Sequence, residues 1–301
     1  MKTVGGQAVI EGVMMKSPAG WSVAVRDPKG GINFKTVRSK AANPILKLPL
    51  IRGGVALLQA MIIGVKAIEF SGSVAYQEDD SKGDKPISSW AIGVSIALAL
   101  VFAIALFKFL PLLIATFVGN LYGGVAKSSL LFNVVDGVTR VCIFLLYVYA
   151  IGYWKEMKRI FEYHGAEHKV IYAFEAGEEC TVENARKYKP YHPRCGTSFL
   201  LIVMVISIVT FMFIPQEWSF LQKLAARIAL LPVIAGISFE TLKLSAKLKD
   251  HPLMGIIILP GLLLQRLTAY EPDDSQIEVA IAALKEVLKL DETLKEGCSQ
   301  C

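Results

Sequence analysis

The chain has 301 residues, 53% of them hydrophobic and 19% charged, which places it above the apolar range of an ordinary soluble domain. The formal net charge of +6 comes with no recognised nucleic-acid fold signature, so the basic residues are read as juxtamembrane clusters near anionic lipid and no nucleic-acid partner is expected. The five cysteines do not make a disulfide framework: Cys142 lies in an apolar run, and Cys180 and Cys195 lie in polar segments expected to face a reducing compartment, where thiols more often bind metal.

In chain order, residues 1–44 read as a small cytoplasmic β element. No cleaved leader is expected, because the first fifty residues carry no short apolar core before a small-residue cleavage site. Val23–Arg26 and Ile32–Val37 are strand-like and flank the turn Asp27–Gly31, while Gly5-Gly6 and Glu11-Gly12 read as backbone turns. Residues 45–70 are apolar, but Gly53–Val65 is nearer the length of an interfacial or re-entrant segment than of a span. Residues 71–89 form a polar linker. Residues 90–154 hold transmembrane helices 1 and 2: Trp90–Tyr122, interrupted by Lys108 and Pro111, and Val134–Trp154, with Asp136 and Arg140 four apart near its start. That pair fits an interfacial ion pair or an intramembrane functional site. Residues 155–196 form a basic metal-binding segment, within which Thr181 and Glu183 mark a helix start.

Residues 197–242 hold transmembrane helices 3 and 4, Thr197–Ile214 and Ala225–Leu242, the latter with Arg227 and Pro232. Glu240, at its end, suits an interfacial salt bridge or a position facing a metal. Residues 243–270 are again interfacial or re-entrant, since Pro260-Gly261 breaks a regular helix in Leu253–Leu264. Residues 271–301 form a cytoplasmic amphipathic helix and tail: Ser275 and Glu278 make a capping box, Ile277, Ile281, Leu284 and Leu288 a helical stripe, and Cys298 and Cys301 a frayed C-x-x-C end. Lys and Arg crowd the region up to Arg52 and the segment Lys155–Arg194, whereas 119–134 and 215–224 hold one each. Both termini and the metal-binding segment are therefore expected on the cytoplasmic side of the plasma membrane.

Three of the four histidines sit in metal-ligand spacings. In His164-Gly-Ala-Glu167-His168 the imidazoles are four apart, so on a helix both reach one ion, and H-x-x-E-H is the inverted-zincin spacing in which the Glu handles protons. His192-Pro-Arg-Cys195-Gly copies a zinc knuckle with His in place of the first Cys. The expected metal set is His164, His168, His192 and Cys195, with Glu167 as catalytic base. His192 or Cys195 leads as third ligand, and Cys180, Glu240 and His251 stand behind. Zinc suits these donors, and iron or cobalt is admitted. If all four bind one ion the shell is closed and the metal is a staple; three ligands and an open position make it catalytic. The plainest alternative is that these side chains bind nothing.

Gly5–Met15, the HGAEH segment, Tyr191–Phe199, Leu264-Gln-Arg-Leu267 and Glu271–Glu278 occur in one order along the chain, and together they resemble the YqhQ-like family of bacterial membrane proteins. The resemblance implies a domain of unknown function often described as a metal-dependent enzyme. It places Glu11 near the metal only by analogy. The expected fold is an all-α polytopic membrane protein of about four transmembrane helices, with interfacial segments and a small N-terminal β element. The expected partners are the lipid bilayer and membrane proteins or peptides. The expected function is a membrane zinc-dependent hydrolase, or a non-enzymatic assembly or insertion factor with structural zinc.

Overall fold

Alternation in the first forty residues builds more sheet than the hairpin expected. The computed structural model describes residues 4–39, 51–76, 89–193, 195–215, 217–247 and 252–298. Strands β1 (Gly5–Val9), β2 (Gly12–Lys16), β3 (Gly20–Arg26) and β4 (Ile32–Arg38) pair antiparallel in sequential order. Side chains alternate across a strand, so Val13, Met15 and Ala24 face one side, and Met14, Trp21, Val23 and Val25 the other; both sides are buried. The Asp27–Gly31 turn closes the β3–β4 hairpin as expected, with Asp27 Oδ1 accepting the Lys29 and Gly31 N–H groups at 2.9 and 2.8 Å. The glycines read as turns are instead strand residues. Gly6 pairs with Met15, and Gly12 lies so close to the Ala24 carbonyl that a side chain would collide there. The β1–β2 connection turns through Glu11, at φ 48°.

One face of the sheet is covered by α6 (Lys155–Glu175), α7 (Val182–Arg186) and α12 (Asp274–Cys298). The stripe on α12 is used here: Ile277, Ile281 and Leu284 are buried against Tyr163, Ala166 and Val170 of α6 and against the sheet, with Leu288 at the edge. Each such aliphatic side chain removed from water stabilises by roughly 1.5–3 kcal/mol. The capping box stands earlier than Ser275 and Glu278: Asp273 Oδ1 accepts the Gln276 N–H and Gln276 Oε1 accepts the Asp273 N–H, both at 2.9 Å. Asp accepts at an N-cap as well as Ser does, and it starts the helix at Asp274. Thr181 caps α7 as expected, through the Asn184 N–H at 3.2 Å. The other face of the sheet receives α1 (Ile51–Ala75) through Ala67 and Val74, with Ile63 and Phe70 packed alongside. This helix runs five residues past the expected end of the apolar segment, into what was read as linker.

The remaining helices form the membrane part. They are α2 (Ser89–Ile104), continued by a π-helical turn (Ala105–Phe109) into α3 (Leu110–Leu121), α4 (Gly123–Lys127), α5 (Ser129–Ile151), α8 (Gly196–Phe211), α9 (Phe220–Ala229), α10 (Leu231–Lys247) and α11 (Pro252–Thr268). Residues 52–75, 93–121 and 129–151 are each long and apolar enough to cross a membrane; α9 and residues 231–242 of α10 pass the same test only together, bent by 44°, as a broken span or a re-entrant loop, and Phe199–Phe211 is a shorter apolar helix. The chain is thus a mostly helical membrane protein with three to four candidate spans and a small antiparallel sheet. Pro111 does not end the first long run, although it has no N–H to give: the helix passes from α2 through the π turn into α3, and the change of pitch just before the proline accommodates the missing bond. The irregularity is the π turn around Lys108, where the Phe107 carbonyl accepts Arg140 Nε at 3.1 Å.

Asp136 and Arg140 do pair, 1% and 4% exposed, and they belong to a larger buried network. Arg140 Nη2 meets Asp136 Oδ2 at 2.5 Å, and the second carboxylate oxygen accepts Arg227 Nη1 from α9 at 2.6 Å. Asn133 and Ser207 complete the network at 3.1 and 2.9 Å. One carboxylate shared between two guanidinium groups, with the further hydrogen bonds to Asn133, Ser207 and the Phe107 carbonyl, offsets part of the cost of taking these groups out of water. His251, Cys301 and the Cys298 side chain lie outside the described residues, as does most of the expected linker.

Candidate metal centre

Helix α6 carries His164 and His168 one turn apart, with ring centroids 4.3 Å from each other. The residues between them are small because the helix is pressed between partners. A side chain on Gly165 would collide with the Tyr270 carbonyl, and Ala166 is fully buried against the sheet layer. Each imidazole is oriented by its Nδ1. His164 Nδ1 lies 2.7 Å from the Thr268 carbonyl at the end of α11, and His168 Nδ1 lies 2.7 Å from the Pro190 carbonyl. A carbonyl only accepts, so each Nδ1 carries the hydrogen and each Nε2 keeps a lone pair, the arrangement that suits metal ligation.

Those lone pairs converge on Cys195. His164 Nε2 is 3.2 Å from Cys195 Sγ, and among the described residues His164, His168 and Cys195 form a group whose donor atoms all lie within 4.8 Å of one another. His168 Nε2 is buried and has no hydrogen-bond partner among the described residues. An orphaned buried nitrogen is costly unless something else satisfies it, and a metal ion held with the His164 nitrogen and the Cys195 sulfur would do so. Cys195 is the N-cap of α8, and the sulfur accepts from the Thr197 N–H at 3.4 Å and the Thr197 hydroxyl at 3.2 Å. Both donors suit a sulfur that carries negative charge. The donor set fits zinc or another thiophilic divalent ion.

His192 stands beside this group without joining it. Its ring centroid is 5.9 Å from that of His168 and 4.3 Å from that of Tyr172, and its Nε2 lies 3.4 Å from Glu175 Oε2. Burial, then the neighbouring His168, pushes its pKa down to about 4, so the imidazole is neutral near pH 7 and the Glu175 contact is not an ion pair. The knuckle turn itself forms, since the Cys195 N–H donates to the His192 carbonyl at 3.2 Å. Gln265 clamps it, accepting the His192 N–H at 2.7 Å and donating to the His192 carbonyl at 2.9 Å.

Glu167 lies on the flank of α6 that faces β1, about 100° round the helix from His168. It is 5% exposed and is not among the three donors that cluster. Burial raises its pKa to about 7, against the lowering effects of His164 and of the Gly6 N–H that it accepts. A methyl group on Gly6 would stand 2.9 Å from the Glu167 carboxylate, so the glycine permits this approach. The other residues considered as ligands are engaged elsewhere. Cys180 packs at the edge of the α6–α12 core, Glu240 receives both nitrogens of Arg52, and Glu11 is bound by Arg159 two-pronged, with Tyr163 at 3.4 Å. The positioning residues that sequence reasoning missed are Thr268, Pro190, Gln265 and Gly6. Only Gly6 and Gln265 left a trace, as members of the ordered motifs.

The model of a family described as "Protein of unknown function (DUF1385)" matches residues 48–290. Over 296 residues the chain is 34% identical to "Uncharacterized protein YqhQ" of Bacillus subtilis (strain 168), spanning 95% of this chain and 92% of that protein. The chain belongs to this family. No solved structure matches it. The residues matched by the family model run from α1 into α12 and include His164, Glu167, His168, His192 and Cys195, while Gly6 and Glu11 precede them.

Proposed function

We propose that this family member is an integral membrane metal-dependent hydrolase, with zinc or a similar divalent ion held by His164, His168 and Cys195 at the cytoplasmic face. The observation that carries the reading is the pair of Nδ1 bonds to the Thr268 and Pro190 carbonyls, which turn two Nε2 lone pairs toward one thiol while His168 Nε2 is left without a partner. Three converging donors with a position to spare suit catalysis more than a closed structural shell. A bound ion supplies Lewis acidity, the means by which water becomes a nucleophile near neutral pH. Glu167, buried and held to about 7, is matched to take up and return a proton at that pH, and the Gly6 N–H fixes its carboxylate. The excess of Lys and Arg before Arg52 and in Lys155–Arg194 supports the cytoplasmic placement. A site where α8 and α11 meet the polar domain favours amide or ester substrates presented at the membrane surface. The assembly-factor reading, with structural zinc, rests on the neighbouring His192 as a fourth donor.

The test is X-ray absorption on metal-loaded, detergent-purified protein together with the Glu167→Gln variant. Expected are two imidazoles, one sulfur and a fourth position not supplied by the protein, with the variant keeping its metal and fold but losing turnover of a panel of peptide and ester probes. A shell closed by a third imidazole, with Glu167→Gln indifferent, would give the site to the structural reading.

A further inference from the structure

Helix α1 has the length and hydropathy of a membrane span, yet the fold denies it that role. The sheet precedes α1 in the chain and α6 follows α5, and the two pack in one core through Val13, Met15 and Ala24 against Ala166 and Val170. A single core lies on one side of a membrane, so an even number of crossings must separate its parts. Three candidates stand between them: residues 52–75, 93–121 and 129–151. One of the three does not cross.

The contacts identify which. Ile63, Ala67, Phe70 and Val74 of α1 lie on the sheet, and a side chain at Gly64 would stand 3.1 Å from Gln7 of β1. That leaves about 12 residues, roughly 18 Å of helix, against a hydrocarbon core of roughly 30 Å. The other end stops part-way. Gly53 faces Gly236 and Phe239, and Arg52 pairs with Glu240, all near the middle of α10 and at neither of its ends. Opposite its protein-facing side, α1 exposes Leu57, Leu58, Met61, Ile62, Val65 and Ile68, 37–59% each, on one helical arc. Gln59 and Lys66 border one edge of that arc, Glu69 lies within it towards the sheet, and all three are exposed.

We infer that α1 does not cross the membrane: it enters only the leaflet on the polar domain's side, and its free apolar arc is a lipid-binding surface seated there. The occupant is the acyl–headgroup region of that leaflet, because the arc is apolar from Leu57 to Ile68 and the charged Lys66 and Glu69 lie at the end nearer the sheet. The metal centre is on the same side of this raft, which fixes its height above the bilayer.

Sidedness and depth test this directly. Gly54→Cys and Ser73→Cys, both at exposed or open positions, are labelled with a membrane-impermeant maleimide in sealed vesicles, with Lys29→Cys on the sheet as reference and the parent chain's own cysteines as background. Ser73→Cys and Lys29→Cys are expected to react from one side, and Gly54→Cys, on the lipid-facing arc, from that side or from neither; reaction of Gly54→Cys and Ser73→Cys from opposite sides would overturn the inference. Nitroxides placed by Leu57→Cys, Met61→Cys, Val65→Cys and Ile68→Cys are expected to lie all within that one leaflet by oxygen and nickel-chelate relaxation. A crossing helix would instead carry them through the bilayer midplane, over about 16 Å of depth. If Met61→Cys cross-links to a second copy and is shielded from oxygen, the arc is a subunit interface and the lipid assignment fails.

Discussion

Two buried polar clusters hold this molecule's charge, and they are built on opposite principles. In the membrane part, Asp136 is enclosed by Arg140 and Arg227, and Asn133, Ser207 and the Phe107 carbonyl take further guanidinium hydrogens. In the polar domain, His164, His168 and Cys195 are oriented from behind by carbonyls and a Thr197 pair, while their inward atoms point at one another and His168 Nε2 has no partner. The first cluster shares one carboxylate between two guanidinium groups, leaves Arg227 Nε without a partner among the described residues, and joins α5, α8 and α9. The second spends its hydrogen bonds on orientation and aims its ligand atoms at one point. Paired charges between helices fasten the fold; lone pairs aimed at one point suit a ligand.

The sharpest way to break that contrast is at Asp136. Asp136→Asn leaves two guanidinium groups buried without a counter-charge, and removing one partner of such a pair costs about 3–5 kcal/mol. A large fall in thermal midpoint in detergent is expected, with metal content per folded chain unchanged. A variant as stable as the parent would show that the network does not fasten α5 to α9. Loss of metal at full stability would mean that the two clusters are coupled.

How much of either cluster was legible depended on sequence distance. The i, i+4 spacings of His164 with His168 and of Asp136 with Arg140 were readable, because a helix converts spacing into adjacency. Arg227, ninety-one residues beyond Asp136, was not, so an enclosed network looked like a surface pair. The His192–Cys195 turn was readable, but which of its two donors turns toward α6 was not: that depends on Gln265 gripping the His192 backbone from α11. The two-stranded start of the sheet was hidden for a different reason. Glycine at positions 5, 6 and 12 signals a turn locally, and here Gly6 and Gly12 answer to close approach by Glu167 and Ala24 instead. The α12 stripe was read correctly as a buried face, and its partner, the sheet, lies 250 residues upstream.

A smaller effect is expected where the fold positions the metal ligands. Gly165→Ala drives a methyl group into the Tyr270 carbonyl, whose residue also donates its N–H to the Phe161 carbonyl at 2.9 Å. Relief requires α6 to move from the 268–270 segment, at a cost of about 1–3 kcal/mol. The Thr268 carbonyl that fixes His164 moves with it, so metal affinity should also fall, by roughly 10–100-fold, the effect of losing a partner that orients a ligand. Chelator competition and thermal unfolding on the same preparation measure both. A fall in stability with unchanged affinity would show that His164 does not depend on Thr268.

The smallest effect sharpens the contrast most finely, because it concerns the residue at the edge of the centre. His192 is as deeply buried as His168, yet its ring packs on Tyr172 and its Nε2 faces Glu175 rather than the thiol. If the centre is a three-donor site, His192→Gln should keep one metal per chain and weaken binding by less than about 10-fold, below the range for an orienting partner. The Gln265 clamp should persist, since it grips backbone atoms that the substitution leaves in place. Metal stoichiometry by mass spectrometry, with chelator competition beside Cys195→Ser, separates the cases. Equal losses in the two variants would make His192 a ligand and close the shell, and the aimed cluster would then be a staple.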